Sequence, residues 1–162
     1  MRILVGDLFE SQAQTLVNAV NCVGVMGKGI AEQFKRRFPA MFDDYKQRCK
    51  RKDVRLGEPY LYRDSSGIQI INFPTKSHWR SPSRLANVEL GLDHLAKHVA
   101  MWNIASLALP ALGCGSGGLR WPEVGPLIYR KLNTLPIDIE VYAPTGTLQQ
   151  HLTMEFLSAP PS

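Results

Sequence analysis

Thr15-Leu-Val-Asn18-Ala-Val-Asn21-Cys-Val-Gly24-Val-Met26-Gly27-Lys-Gly29-Ile30-Ala31 is the stretch that decides how this chain is read. An apolar run ends on two asparagines, passes through a glycine-rich turn and opens a helix. In that helix Ile30, Ala31, Phe34 and Phe38 recur at helical spacing until Pro39. The device returns downstream as Leu107-Ala-Leu-Pro110-Ala-Leu-Gly113-Cys114-Gly115-Ser116-Gly117-Gly118-Leu119, ahead of a helix from Trp121. Seven of the thirteen glycines lie in these two turns, which marks the turns as built for a purpose. Glycine lets backbone N–H groups approach an anion closely and take the left-handed angles of an anion nest. A helix N-terminus adds partial positive charge. Two such turns at strand ends suit a diphosphate held between them.

Around this pair the chain alternates strands and helices. Strands are expected at Arg2 to Val5, Thr15 to Ala19, Pro59 to Arg63, Ile68 to Phe73, Ile104 to Leu109 and Ile137 to Ala143. Asp64-Ser-Ser-Gly67 turns one hairpin, so the sheet is mixed; Pro74 to Pro82 reads as a loop. Helices are expected at Gly29 to Phe38, Met41 to Lys50, from a Ser83 cap through Val99, and at Trp121 to Leu132. A short helix after Gly146 leads into Ala159-Pro-Pro-Ser162, the start of a linker. The fold class is therefore α/β, with one domain over residues 1–158 and the linker beginning at 159–162.

Composition narrows the function classes. With 44% hydrophobic and 20% charged residues the chain has an ordinary globular balance, and no apolar run approaches the roughly 20 residues of a membrane span. The N-terminus carries no signal-peptide pattern. Three scattered cysteines, Cys22, Cys49 and Cys114, lack metal-ligand spacing and suggest a reduced, cytoplasmic protein without a metal. The net charge of +5 favours a polyanionic partner. Much of the excess lies in Lys35 to Arg37 and Lys46 to Arg55, where intervening acids make a solvated helix face the simpler reading.

Gly6-Asp7-Leu8 after the first strand, Asn18-Ala-Val-Asn21 with Gly27-Lys-Gly29-Ile30-Ala, and Pro110 to Leu119 together resemble the macrodomain family, over most of the chain and in the right order. The resemblance implies a three-layer α/β/α sandwich with a mixed central sheet that binds ADP-ribose without a cofactor. Asn72-Phe-Pro-Thr-Lys76-Ser-His78-Trp79-Arg80 is similar to one branch of that family. This branch holds the animal terminal ADP-ribose glycohydrolase and bacterial enzymes that remove ADP-ribose from DNA bases. The bacterial members, which the chain resembles more, counter a toxin that ADP-ribosylates thymine in single-stranded DNA. They carry a further C-terminal region, where contact with the cognate toxin is expected.

Residue by residue, the resemblance puts the adenine against the Asp7 carboxylate and the Leu8 N–H. On its residues alone Asp7 is a turn aspartate capping nearby amides. Asn18 reads as a buried amide tying down backbone, whereas Asn21 matches the position that orients the distal ribose. The diphosphate is expected on Gly24, Met26, Gly27, Gly29 and Ile30 from the first turn and on Gly113 to Leu119 from the second. Tyr142 either walls the adenine or belongs to the core.

Lys76 matches the lysine that acts on the anomeric carbon, as base for a water or as nucleophile. Either route passes an oxocarbenium-like sugar. His78, Trp79, Arg80 and Arg84 form a basic, aromatic segment suited to a DNA strand, base stacking on an aromatic ring being worth ~1–3 kcal/mol; Trp79 packed on the sheet rim is the alternative. The animal enzyme's second-turn acid has no counterpart, since Gly117 stands there. Cys114 has no histidine beside it and reads as a small filler. The leading expectation is a monomeric glycohydrolase of ADP-ribosylated thymine in single-stranded DNA. A non-catalytic ADP-ribose reader and an ADP-ribose 1''-phosphatase are the alternatives.

Overall fold

Residues 1–161 are described by a computed structural model. Six strands form one sheet: β1 (Arg2–Leu4), β2 (Thr15–Asn21), β3 (Tyr60–Arg63), β4 (Gln69–Lys76), β5 (Ser106–Pro110) and β6 (Asp138–Tyr142). Their spatial order is β1-β6-β5-β2-β4-β3, with every neighbouring pair parallel except the β3–β4 hairpin. The helices are α1 (Gly29–Arg37), α2 (Pro39–Lys50), α3 (Leu85–His98), α4 (Trp121–Leu132) and α5 (Met154–Ser158).

The strands' apolar runs are read out on both faces. Val17, Ile71, Phe73, Leu107, Leu109 and Val141 pack under α3, α4 and α5, whereas Leu16, Val20, Ile70 and Ala108 pack under α1 and α2. Two helical layers thus enclose the sheet, giving the α/β/α sandwich. A polar seam crosses it. Asn18, Asn72 and Tyr60 are register partners on β2, β4 and β3. Asn18 Nδ2 donates to Asn72 Oδ1 (3.1 Å) and Asn72 Nδ2 to the Tyr60 hydroxyl (3.0 Å). Burial pushes the Tyr60 phenol well above its ordinary pKa, keeping it neutral.

Three expectations need correction. β2 runs two residues past Ala19, so Asn18 lies inside the strand and Asn21 ends it. β4 runs through Pro74 and Thr75 to Lys76, so those residues are not loop. Proline is tolerated there because β3 accompanies β4 only as far as Asn72. Ser83 does not cap α3: Arg84 holds the cap position without a side-chain bond, and Ser83 is buried one residue earlier. At the C-terminal end, α5 packs on α4 through Leu157, and Trp121 Nε1 donates to the His151 carbonyl (2.9 Å). Residues 159–161 carry no helix or strand; Ser162, the last residue of the expected linker, lies outside the described residues.

Gly91 shows how closely α3 seats on the sheet. A Cβ there would stand 2.3 Å from the Phe73 ring. Gly91→Ala is expected to lower unfolding free energy by about 1–3 kcal/mol through overpacking, read as a shifted urea midpoint with unchanged slope.

Candidate active site

β2 and β5 pair only at Thr15–Leu107 and Leu16–Ala108. Beyond Leu16 they part, and a cavity of about 720 Å³ opens between their C-terminal ends. This is the end of an open α/β sheet at which ligands are bound, where strand order changes direction. Ala19, Val20 and Asn21 form one wall, Pro110 and Ala111 the other. The first glycine turn contributes Val25, Gly27, Lys28, Gly29 and Ile30; the second contributes Gly113, Gly115, Ser116 and Gly117.

A bulge sets the chemistry at the inner wall. Val20 pairs with Pro74, but Asn21 pairs with Lys76, so Thr75 is the extra residue of β4. Bulges of this kind re-aim side chains. Here one puts Asn21 and Lys76, 55 positions apart, at adjacent strand ends on the cavity. The Lys76 ammonium donates to the Ser116 hydroxyl (3.0 Å) and to the Trp79 carbonyl (3.0 Å), reaching from β4 to the second turn. Burial, and then the charge of Lys28, lower its pKa below that of an ordinary lysine.

Asn21 is 5% exposed and organises the first turn. Its Oδ1 accepts from the Val23 N–H (3.0 Å) and the Tyr45 hydroxyl (2.8 Å), while Nδ2 donates to the Val25 carbonyl (2.8 Å). One amide hydrogen remains without a partner among the described residues. The side chain of Met26 turns inward and is 1% exposed, leaving only backbone for a ligand at that position. Gly24 adopts φ +86° beside Cys49 and Lys46.

The second turn is packed from beneath. A Cβ on Gly117 would meet Ser83 Oγ at 2.2 Å and the Gly113 carbonyl at 2.6 Å, and one on Gly113 would meet Leu119 at 2.6 Å. Gly115 and Gly118 face open space. The Ser83 N–H donates to the Gly117 carbonyl (2.9 Å), while its buried hydroxyl has no partner among the described residues. Cys114 and Leu119 sit half-buried against the core. Burial pushes the Cys114 thiol up to about 11, so it is protonated near neutrality.

The expected adenine end lies apart. Asp7, Leu8 and Tyr142 do not line the cavity. Asp7 Oδ1 caps the Leu8–Glu10 turn by accepting from the Phe9 N–H (2.9 Å), and Leu8 is buried. Tyr142, half-buried, ends β6 opposite Leu4 and Pro110; burial, and then Glu140, raise its pKa. On the Lys76 side, Trp79 is 41% exposed and lines the cavity. His78 stacks on it at 5.2 Å, the Arg80 guanidinium lies 4.4 Å from its ring centre, and Arg84 stands exposed at the start of α3. The sequence assigns no site role to Lys28, Thr75 or Ser83, the last reading only as a helix cap. Lys28 carries a signal, a cation inside a glycine-rich turn of the kind expected to hold an anion; the bulge at Thr75 and the seat of Ser83 carry none.

An α/β/α sandwich with a nucleotide-sized cavity between two glycine turns at its strand ends defines a class of nucleotide-binding domain. The Macro domain family profile matches residues 17–128, and the chain belongs to that family. Over 146 residues it is 48% identical to the DNA ADP-ribosyl glycohydrolase of Mycobacterium tuberculosis, a match covering 87% of this chain and 41% of the relative. The solved macrodomain of Mycobacterium tuberculosis DarG superposes with a TM-score of 0.85 at 46% identity, covering 88% of this chain and 98% of that one. Thermosipho africanus DarTG in complex with ADP-ribose gives 0.90 at 39% identity, over 96% of this chain and 45% of that one. The chain therefore spans less than half the length of these curated relatives.

Gly115→Val is expected to keep the melting temperature and weaken ADP-ribose at least tenfold in calorimetric titration, since the new side chain meets only the cavity. Gly117→Val is expected to lower stability as well, because its Cβ strikes Ser83 and the Gly113 backbone.

Proposed function

We propose that this chain is the catalytic macrodomain of a DNA ADP-ribosyl glycohydrolase, removing ADP-ribose from thymine in single-stranded DNA as the antitoxin to a DNA-modifying ADP-ribosyltransferase. The observation that carries the reading is Lys76, paired with Asn21 across the bulge and spanning the cavity to Ser116. A pure reader of ADP-ribose has no use for a partly desolvated lysine at that wall. The names of the relatives and of the solved complex support the same substrate class.

In this reading the two glycine turns hold the diphosphate on backbone N–H groups. Asn21 orients the distal ribose with its remaining amide hydrogen, and Asp7 meets the adenine. The bond between the anomeric carbon and the thymine nitrogen breaks, its electron pair leaving with the base and spreading over the ring carbonyls. Water supplies the oxygen that replaces it. Neutral Lys76 takes the proton of that water, or first attacks the carbon itself and is displaced by water afterwards. An anion stabilised by its own ring needs little help from an acid, which suits a second turn with Gly117 in place of a carboxylate. His78, Trp79, Arg80 and Arg84 flank the strand on this side. A toxin contact falls to regions beyond this chain.

Lys76→Ala is expected to lower turnover of ADP-ribosylated single-stranded DNA by ~100-fold or more while ADP-ribose affinity stays nearly unchanged. Released ADP-ribose and calorimetry read the two effects separately. Wild-type binding without release would leave a reader, and release of phosphate from ADP-ribose 1''-phosphate would instead indicate the phosphatase.

The pH profile gives a second check. The amine must be neutral to act, so turnover is expected to rise with pH and level off above the lowered pKa of Lys76. Lys28→Gln removes a neighbouring positive charge, raises that pKa and should move the rising limb to higher pH.

A further inference from the structure

The chain's positive charge is concentrated on one unit. From Lys28 to Arg55 there are ten basic and four acidic side chains, a surplus of six; the remainder carries nine basic and ten acidic. Three of the four acids there pair with arginines: Glu32 with Arg36, Asp44 with Arg48 (2.8 Å) and Asp53 with Arg51 (2.9 Å). Lys28, Lys35, Lys46 and Lys50 make no ion pair among the described residues.

These four lysines form a continuous strip. Lys28 lines the cavity as the residue before α1, and Lys35 lies about two turns further along that helix. Lys35 and Lys46 both lie over the Phe42 ring, at 4.5 and 5.3 Å from its centre. Phe42, Lys46 and Lys50 recur every four residues on α2. The Lys46 stem reaches the first glycine turn, 3.9 Å from where a Cβ on Gly24 would stand. Val23 and Val25, exposed at that turn, add apolar surface between strip and cavity.

Taking the proposed DNA glycohydrolase as given, we infer that this strip carries the single-stranded DNA flanking the modified nucleotide, opposite the side held by Trp79 and Arg80. A helix face that was expected to be merely solvated becomes a second arm of the substrate site. Unpaired cations spaced along an aromatic ring and apolar turn match an unstacked polynucleotide, whose phosphates meet the lysines while bases rest on apolar surface. A duplex fits poorly, because a base whose sugar must enter the cavity has to leave its stack. An acidic peptide would engage the charges but has no use for the Phe42 and Val23–Val25 surface.

The test uses unmodified oligodeoxythymidylate, so it does not depend on hydrolysis. Fluorescence anisotropy at several salt concentrations is measured for wild type and for Lys35→Gln/Lys46→Gln/Lys50→Gln. The triple variant should bind several-fold more weakly, and the slope of log affinity against log salt should fall by roughly 2, as three single-strand phosphate contacts are lost. ADP-ribose affinity should not change, since none of the three lines the cavity. Phe42→Ala should weaken oligonucleotide binding with the salt slope retained. An unchanged slope in the triple variant overturns the inference, as does a fall seen only with Arg80→Gln/Arg84→Gln. Equal competition by a poly-glutamate of matched charge also overturns it. A wild type that binds the oligonucleotide through the strip but never releases ADP-ribose would defeat the glycohydrolase reading alone.

Discussion

Everything functional here depends on how little β2 and β5 are paired. Two register pairs, at Thr15 and Leu16, hold the strands together, after which they separate. A fully zipped pair would leave the sheet solid and put the two glycine turns in contact. Because the strands part, a cavity forms whose walls are strand backbone and whose mouth is turn backbone. The polar side chains of Asn21, Thr75, Lys76 and Ser116 lie on its lining, and the glycines of both turns bring main chain to it in directions that the fold fixes. In the proposed function this preorganised main chain receives the diphosphate without first ordering side chains.

The two turns are held open by different means. The first is organised from within: Asn21 Oδ1 accepts from the Val23 and Val25 N–H groups and from the Tyr45 hydroxyl of α2, and its Nδ2 donates to the Val25 carbonyl. The second is supported from beneath, with Gly113 and Gly117 pressed on Leu119 and Ser83. Lys76 then links β4 to the second turn through Ser116. A cation held by a hydroxyl and a carbonyl, beside another cation, has no carboxylate to fix its proton. Its charge is therefore easier to remove than that of a surface lysine.

Much of this was legible in the chain and some was not. The glycine clusters revealed both turns, because glycine is chosen where backbone must approach or turn sharply. Apolar periodicity located the helices, with α4 read to its observed limits. Lys76 stands out by its neighbours, but its place at the end of β4 does not. Pro74 reads as the end of a strand, whereas an unaccompanied stretch of β4 accepts it. The pairing of Asn21 with Lys76 is a long-range register, and no local propensity reports a bulge. Ser83 reads as a cap because a serine before an apolar helix is the ordinary signal for one. The lysine strip was hidden by its acids, whose pairing with three arginines only the folded arrangement reveals.

The polar seam of Asn18, Asn72 and Tyr60 has a consequence for folding fidelity. On either side of the asparagines β2 and β4 are apolar, Leu16, Val17, Ala19 and Val20 on one and Ile70, Ile71, Phe73 and Pro74 on the other, and hydrophobicity alone distinguishes poorly between neighbouring alignments of such stretches. Sliding β4 by one residue would bring Ile71 or Phe73 opposite Asn18 and bury an amide with nothing to bind. The seam therefore acts as an alignment key. Misregistered sheets are rejected by an electrostatic cost in the interior, and the surviving alignment is the one that delivers Lys76 to Asn21 at the far end of the same strands.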